Sequence, residues 1–339
     1  MTAPTTATAP QRPDGPAGPG AVRATLTGRF QQMLAFASLI AIFVFFAFAS
    51  PHFLNYSNVT SMLFSTVVIG TLALGVTFVI VAGGIDLSVG TGMALTAVMS
   101  GVFITDMGLP VVVGVLGAIL FGGLIGLVNG VNVTFLKLPP FIATLAMMLV
   151  AQGLALVISG SAPIYFADDT GYTEISTGSI IPGADFPNAV LILAAAAILA
   201  GIVLNRTLLG RYTYAIGSNE EATSLSGIDV RKWKIVVYVI SGLFIGLAGV
   251  LISARLGSAQ PATGMGYELQ AIAAVVIGGT SLSGGKGSIV GTVIGALIIS
   301  VLNNGLQITA VPQEWQNVIL GCVIVAAVYA DMARKRTAA

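Results

Sequence analysis

Long apolar runs, separated by short clusters of charge, Pro or Gly, occupy the chain from residue 33 to residue 331. A bilayer crossing needs about 20 predominantly apolar residues. Ten runs approach that length: 33–50, 60–82, 88–105, 110–135, 140–159, 187–205, 234–254, 267–279, 288–308 and 315–331. The pattern predicts an all-α polytopic membrane protein of about ten transmembrane helices. The run 267–279 is short for a full crossing and ends in Gly-rich sequence, which predicts a broken or partial span. Residues 1–28 hold five Pro before position 20 and no apolar period, the composition of a disordered arm. The 17 residues of 33–49 exceed the roughly 7–15 of a cleaved leader's apolar core, so this run reads as a retained span.

Composition agrees. Only 8% of the 339 residues are charged, against about 25% in a soluble domain, and mean hydropathy is +0.97. A net charge of +1 offers no surface for nucleic acid. Cytoplasmic loops collect Lys and Arg. With the N terminus inside, 13 of the 14 basic residues fall on the inner side, from Arg12 to the tail Arg334, Lys335 and Arg336, and Arg255 alone falls outside. The outer loop 160–186 carries Asp168, Asp169, Glu174 and Asp185 and no basic residue. Adding or removing one span would scramble this partition, so both termini are predicted cytoplasmic. Residues 29–332 then form the membrane domain and 333–339 a basic tail.

Two Gly-rich segments share six of ten positions, Gly83–Gly92 (GGIDLSVGTG) and Gly278–Gly287 (GGTSLSGGKG). Each follows an apolar run on the inner side, as matching breaks in two halves of a transporter would. The spacings Gly122/Gly126/Gly130, Gly242/Gly246 and Gly287/Gly291/Gly295 predict close helix contacts. Asp86 is the one acid near the junction of two apolar runs; a carboxylate there either lines a pathway or, with Ser88, caps the next helix. Asn129, Asn132, Gln152, Asn303 and Asn304 are uncharged polar groups in or beside spans. They suit a pathway for a neutral polyhydroxylated solute, or serve as interhelical glue.

Metal chemistry has little to work with, one His and one Cys; Cys322 lies in an apolar run, where it reads as a small buried apolar side chain, and no intrachain disulfide can form. The segment 280–288 (TSLSGGKGS) misses the phosphate-loop spacing, with Thr280 where the first Gly belongs and Gly287 where the magnesium-binding hydroxyl belongs. No ATP hydrolysis is expected from this chain. The inner loop 206–233 is too long for a bare connection, and within it 219–225 reads as a short helix. Asn219 or Ser218 caps that helix, Glu220 and Glu221 complement its dipole, and Gly227 stops it: a handle for a partner.

Three segments, GGIDLSVG at 83–90, AIGSNEEATSLSGIDVRKWK at 215–234 and AVVIGGTSLSGGKGSIVGTVIGALIISVLNNGL at 274–306, resemble the permease subunits of ABC importers for ribose and related monosaccharides. The resemblance covers the chain from about residue 33. It implies two permease chains forming a membrane core, here a homodimer. It also implies a cytoplasmic subunit of two fused nucleotide-binding domains, which carries ATP and magnesium, and an extracytoplasmic sugar-binding protein. Glu220, Glu221, Ala222 and Gly227 match the family's coupling motif, with a departure near Thr223 where the family pattern has Ala or a basic residue. The reading is a non-enzymatic translocation subunit of the cell membrane. Its rivals are a gradient-driven secondary transporter, for which Asp86 is the one available titratable group, and a passive pore or scaffold.

Overall fold

The computed structural model describes residues 19–181 and 186–338. Thirteen α-helices follow one another among them: α1 (Pro19–Ala49), α2 (Tyr56–Val81), α3 (Val89–Gly101), α4 (Val111–Thr134), α5 (Pro140–Ile158), α6 (Glu174–Thr177), α7 (Asn188–Arg206), α8 (Leu208–Ser218), α9 (Glu220–Leu225), α10 (Val230–Leu256), α11 (Tyr267–Ile277), α12 (Ile289–Ile308) and α13 (Gln313–Ala338). One π turn, Val102–Asp106, prolongs α3. Strand is confined to an antiparallel ladder of two residues a side, β1 (Ile164–Tyr165) with β2 (Ser258–Ala259).

Seven of the described helices are long and apolar enough to cross a bilayer: α2, α3 with its π turn, α4, α5, α7, α10 and α12. The apolar part of α1, Met33–Ala49, and α11 are shorter. The ends agree closely with the apolar runs, since hydropathy and helix length are properties of each segment alone. Helix α7, for example, occupies 188–206 where the run predicts 187–205.

Burial sorts the spans into two layers. The apolar window of α2 is 89% buried, whereas that of α5 is 22% buried, so α2 sits at the centre and α5 faces outward. Around α2 stand α3, α10, α11 and α12; α4, α5, α7, α1 and α13 form the rim. Exposed Leu, Ile and Phe on the rim are what a lipid solvent accepts. Helices α4 and α10 run in contact over most of their length because Gly faces Gly: a Cβ on Gly122 would meet the Gly242 carbonyl, and one on Gly246 would strike the backbone of Ile119. Helices α11 and α12 do the same at Gly291 and Gly295, which abut the carbonyls of Gly278 and Ala274.

Four expectations are corrected. Helix α1 begins at Pro19, so residues 19–28 of the expected arm are helical: Pro suits the first position of a helix, and helix-forming Ala, Arg and Leu follow. Residues 1–18 of that arm, and Asp185 of the acidic loop, lie outside the described residues. The tail from 333 continues α13 to Ala338, again in helix-forming sequence. The inner loop holds two helices, α8 and α9, rather than one. Cys322 is exposed on α13, because its apolar run is a rim helix whose outward face has no protein to pack on within this chain.

At the acidic end of the bundle, residues 160–181 fold back rather than loop out. Tyr172 is fully buried, stacked on Phe166 at 4.0 Å, and its hydroxyl bonds Ser100 at 3.0 Å and Ser253 at 2.7 Å. Burial pushes that hydroxyl up to about 12, against the pull of its two Ser partners, so it stays a neutral link between α3 and α10.

Candidate functional site

At the opposite, basic end the two Gly-rich breaks meet each other and the last turn of α8, just before the handle. Helix α2 stops at Val81, and Gly83, at φ +80°, turns the chain back into the protein. Asp86, with no exposed surface, follows. Its Oδ1 accepts from the Ser88 N–H at 3.0 Å and from the Ser88 hydroxyl at 2.6 Å, while its Oδ2 accepts from the Ser241 hydroxyl at 3.1 Å. Asn129 of α4 donates to the Ser88 Oγ at 2.9 Å, and its own Oδ1, also buried, has no partner among the described residues. The Tyr238 hydroxyl donates to the Ile85 carbonyl at 3.4 Å. One carboxylate thus ties the break between α2 and α3 to both α10 and, through Ser88, α4.

This arrangement divides the cap expectation. Asp86 does hold a backbone donor at the entrance to α3. Ser88 occupies the N-cap position, but its side chain caps nothing: its backbone is already helical (φ −80°, ψ −5°) and Asp86 takes its hydroxyl. Such a buried polar knot is stable only because its donors and acceptors face each other.

The remaining polar residues do not converge with it. Asn132 is half-buried one turn beyond Asn129, and its backbone carbonyl accepts from the Leu138 N–H at 3.2 Å. Gln152 on the outward-facing α5 donates to the Met265 sulfur at 3.3 Å. Asn303 donates to the Gln270 Oε1 at 3.1 Å, joining α12 to α11. Asn304 and Asn58 exchange two amide bonds at 2.8 and 2.9 Å, clasping α12 to α2. The side chains of Asn303 and Asn304 thus both bond between helices.

The handle is built as its sequence suggests. The Asn219 side chain accepts from the Ala222 N–H at 2.9 Å, capping α9; Glu220 and Glu221 occupy its first turn; Gly227, at φ +82°, ends it. Glu220 pairs with Lys234 of α10 at 2.6 Å, the one ion pair among the described residues, while Glu221 stays exposed. Sequence reasoning missed what lies behind α9. The last turn of α8 is wedged against both breaks, where a Cβ on Gly217 would collide with the Val81 carbonyl and stand 2.6 Å from the Gly285 N. The Gly285 N–H donates to the Val81 carbonyl at 2.9 Å, and the Tyr214 hydroxyl donates to the Gly287 carbonyl at 2.8 Å. The available signal was Gly217 itself, a residue that disfavours helix, standing in the inner loop just before the Asn219 cap. Ser241 and Tyr238, three residues apart within an apolar span, were equally quiet.

Comparison with known proteins fits this geometry. Residues 58–328 match the family described as branched-chain amino acid transport system / permease component. The chain is 45% identical over 301 residues to the ribose import permease protein RbsC of Escherichia coli (strain K12), covering 87% of this chain and 92% of that one. It is 42% identical over 313 residues to RbsC of Bacillus subtilis (strain 168), covering 92% and 95%. It is 38% identical over 297 residues to the D-allose transport system permease protein AlsC of Escherichia coli (strain K12), covering 87% and 90%. The chain belongs to this family of transport-system permease components and is a membrane permease subunit, not an enzyme.

Proposed function

We propose that the chain is the translocation subunit of an ATP-driven importer of a monosaccharide, within the class that includes ribose, allose and xylose. Relatives named for ribose import and for allose and xylose transport support the substrate class. Its partners are a second permease chain of the same kind, a cytoplasmic subunit with two fused nucleotide-binding domains that holds ATP and magnesium, and an extracytoplasmic sugar-binding protein. In this reading the apolar part of α1, α11 and α13 join the seven longer helices to make ten spans in the inner membrane. The termini and the handle then lie in the cytoplasm, in accord with the distribution of Lys and Arg.

The observation that carries the mechanism is the junction at Gly217. Backbone there touches backbone, so no side-chain rotamer can absorb a displacement of α8. A partner that moves α9, by closing differently on its Glu220 and Glu221 face, shifts α8 and with it the breaks after α2 and α11. The work comes from differential contacts of that partner with two states. The gradient-driven alternative needs a relay, and Asp86 bonds only to Ser88 and Ser241, with no second carboxylate or imidazole bonded to it among the described residues.

Reconstitution with the ATPase and the binding protein tests the reading. Uptake should stop on ATP depletion and persist without a proton gradient; uptake with the reverse dependence overturns it. Replacing Glu220 and Glu221 together by Lys should abolish co-purification of the ATPase at a cost to the fold of about 1–2 kcal/mol, since it breaks the Glu220–Lys234 pair and sets positive charge on the N terminus of α9. Undiminished co-purification counts against α9 as the docking element.

A further inference from the structure

A second feature of the bundle belongs to the bilayer rather than to the handle. Helix α7 stands off α10 and leaves a groove of about 480 Å³, floored by Phe78. That size falls within the roughly 300–1,000 Å³ of small-ligand sites. The α7 wall includes a row, Ile192, Ala195, Leu199 and Val203, with two buried Ala beside it, facing Ile240 and Phe244 of α10, and the lining is apolar throughout. Ala195 and Leu199 are exposed at the mouth.

Three observations identify the occupant. At 1.5 Å per residue the row from Ile192 to Val203 is about 16 Å long, half of a hydrocarbon core of roughly 30 Å, and so one leaflet deep. The next residue in the row, at the same helical spacing, is Arg206, exposed and without an ion-pair partner among the described residues; the chain carries no acid from 186 to 219. At the same end of α10, Trp233 lies seven residues before Ile240, and its ring meets Tyr212 of α8 at 4.9 Å. Amphipathic rings of this kind sit at headgroup level. We propose that the groove seats one acyl chain of an anionic phospholipid, with its phosphate against Arg206. A second copy of this chain is a poorer occupant. Two copies sharing one orientation in a membrane present equal depths to each other, which would set Arg206 against Arg206 with no acid between them.

The test uses the full chain, equilibrated in vesicles of equal phosphatidylglycerol and phosphatidylcholine, extracted in mild detergent and weighed with its bound lipids by native mass spectrometry. The wild type should retain one phosphatidylglycerol per chain. Ala195→Trp should release it, and so should Leu199→Trp; both positions are exposed, so neither change burdens the core. Leu149→Trp, on the outward face of α5, should retain it. Arg206→Gln should keep a lipid but lose about fivefold in preference for phosphatidylglycerol, the effect of one basic residue near an anionic surface. Equal retention of both lipids by the wild type, or full retention by both Trp variants in the groove, overturns the proposal. Crosslinking of Leu199→Cys between two copies, in a Cys322→Ala background, overturns it in favour of a protein contact. Sugar uptake does not enter these readouts, so the assignment stands or falls apart from the transport reading.

Discussion

The break at 83–92 and the break at 278–287 start alike and are held differently. Each opens with two Gly after an apolar helix, and each makes the same small turn two residues wide. Asp86 Oδ1 accepts from the Ser88 N–H at 3.0 Å, and Ser281 Oγ accepts from the Ser283 N–H at 3.4 Å. The first turn ends at once in α3, anchored by a carboxylate that draws hydroxyls from its own turn and from α10. In the second, Gly284 and Gly285 continue at φ +79° and +72°, α12 begins only at Ile289, and backbone contacts to Val81 and to Gly217 and Ser218 of α8 hold the loop. Similar sequence therefore yields one break bolted to the bundle by a buried carboxylate and one seated on α8 by close backbone approach and the Tyr214 hydroxyl. A single position, Asp86 against Ser281, accounts for the side-chain part of the difference.

Substitutions at the two breaks should separate these modes of anchoring. The largest effect is expected for Asp86→Ala. It leaves the Ser88 N–H, the Ser88 hydroxyl and the Ser241 hydroxyl without their buried acceptor, at a cost of about 3–5 kcal/mol. Asp86→Asn, which keeps an acceptor, should cost about 1–2 kcal/mol. Denaturant titration of the detergent-solubilised chain measures both, and an Asp86→Ala protein as stable as the wild type would remove the anchor from the account. Next comes Gly217→Ala, whose Cβ forces apart α8, α2 and the 278–288 loop. Overpacking of this kind costs about 1–3 kcal/mol. In the assembled importer it should also weaken the stimulation of ATP hydrolysis by the sugar-loaded binding protein; an unchanged stimulation would disconnect the junction from coupling. The smallest effect belongs to Ser281→Ala, which deletes one long hydrogen bond and should cost less than about 1 kcal/mol. If its cost matched that of Asp86→Ala, the two breaks would be equivalent after all.

The spans were legible because each one announces itself. Residues 111–134 and 140–158 fall within a residue of runs visible as unbroken apolar sequence. The handle was legible for a related reason: Asn219, two Glu and Gly227 are local signals that act on the nearest turn of backbone. Helix α8 was not, because LLGRYTYAIGS is short, mixed and carries two Gly; it is held by the surfaces of α2, α7 and α10 that it packs on. Nor were Ser241 and Asn58 visible as partners of Asp86 and Asn304. A hydroxyl or amide in an apolar run shows only that it needs a partner, never which one.

From residues alone, then, came the membrane as solvent, the apolar lengths that cross it, the sites where Gly interrupts them, and the acid beside the first Gly pair that is too costly to leave unpaired. These follow from free energies that each segment carries by itself: the transfer of a side chain, the length of a helix, the cap at its end. Packing decided the rest. Only it could choose Ser241 for Asp86, lay Gly217 on both breaks at once, and hold α7 away from α10, since those outcomes depend on surfaces that exist only after distant helices have met.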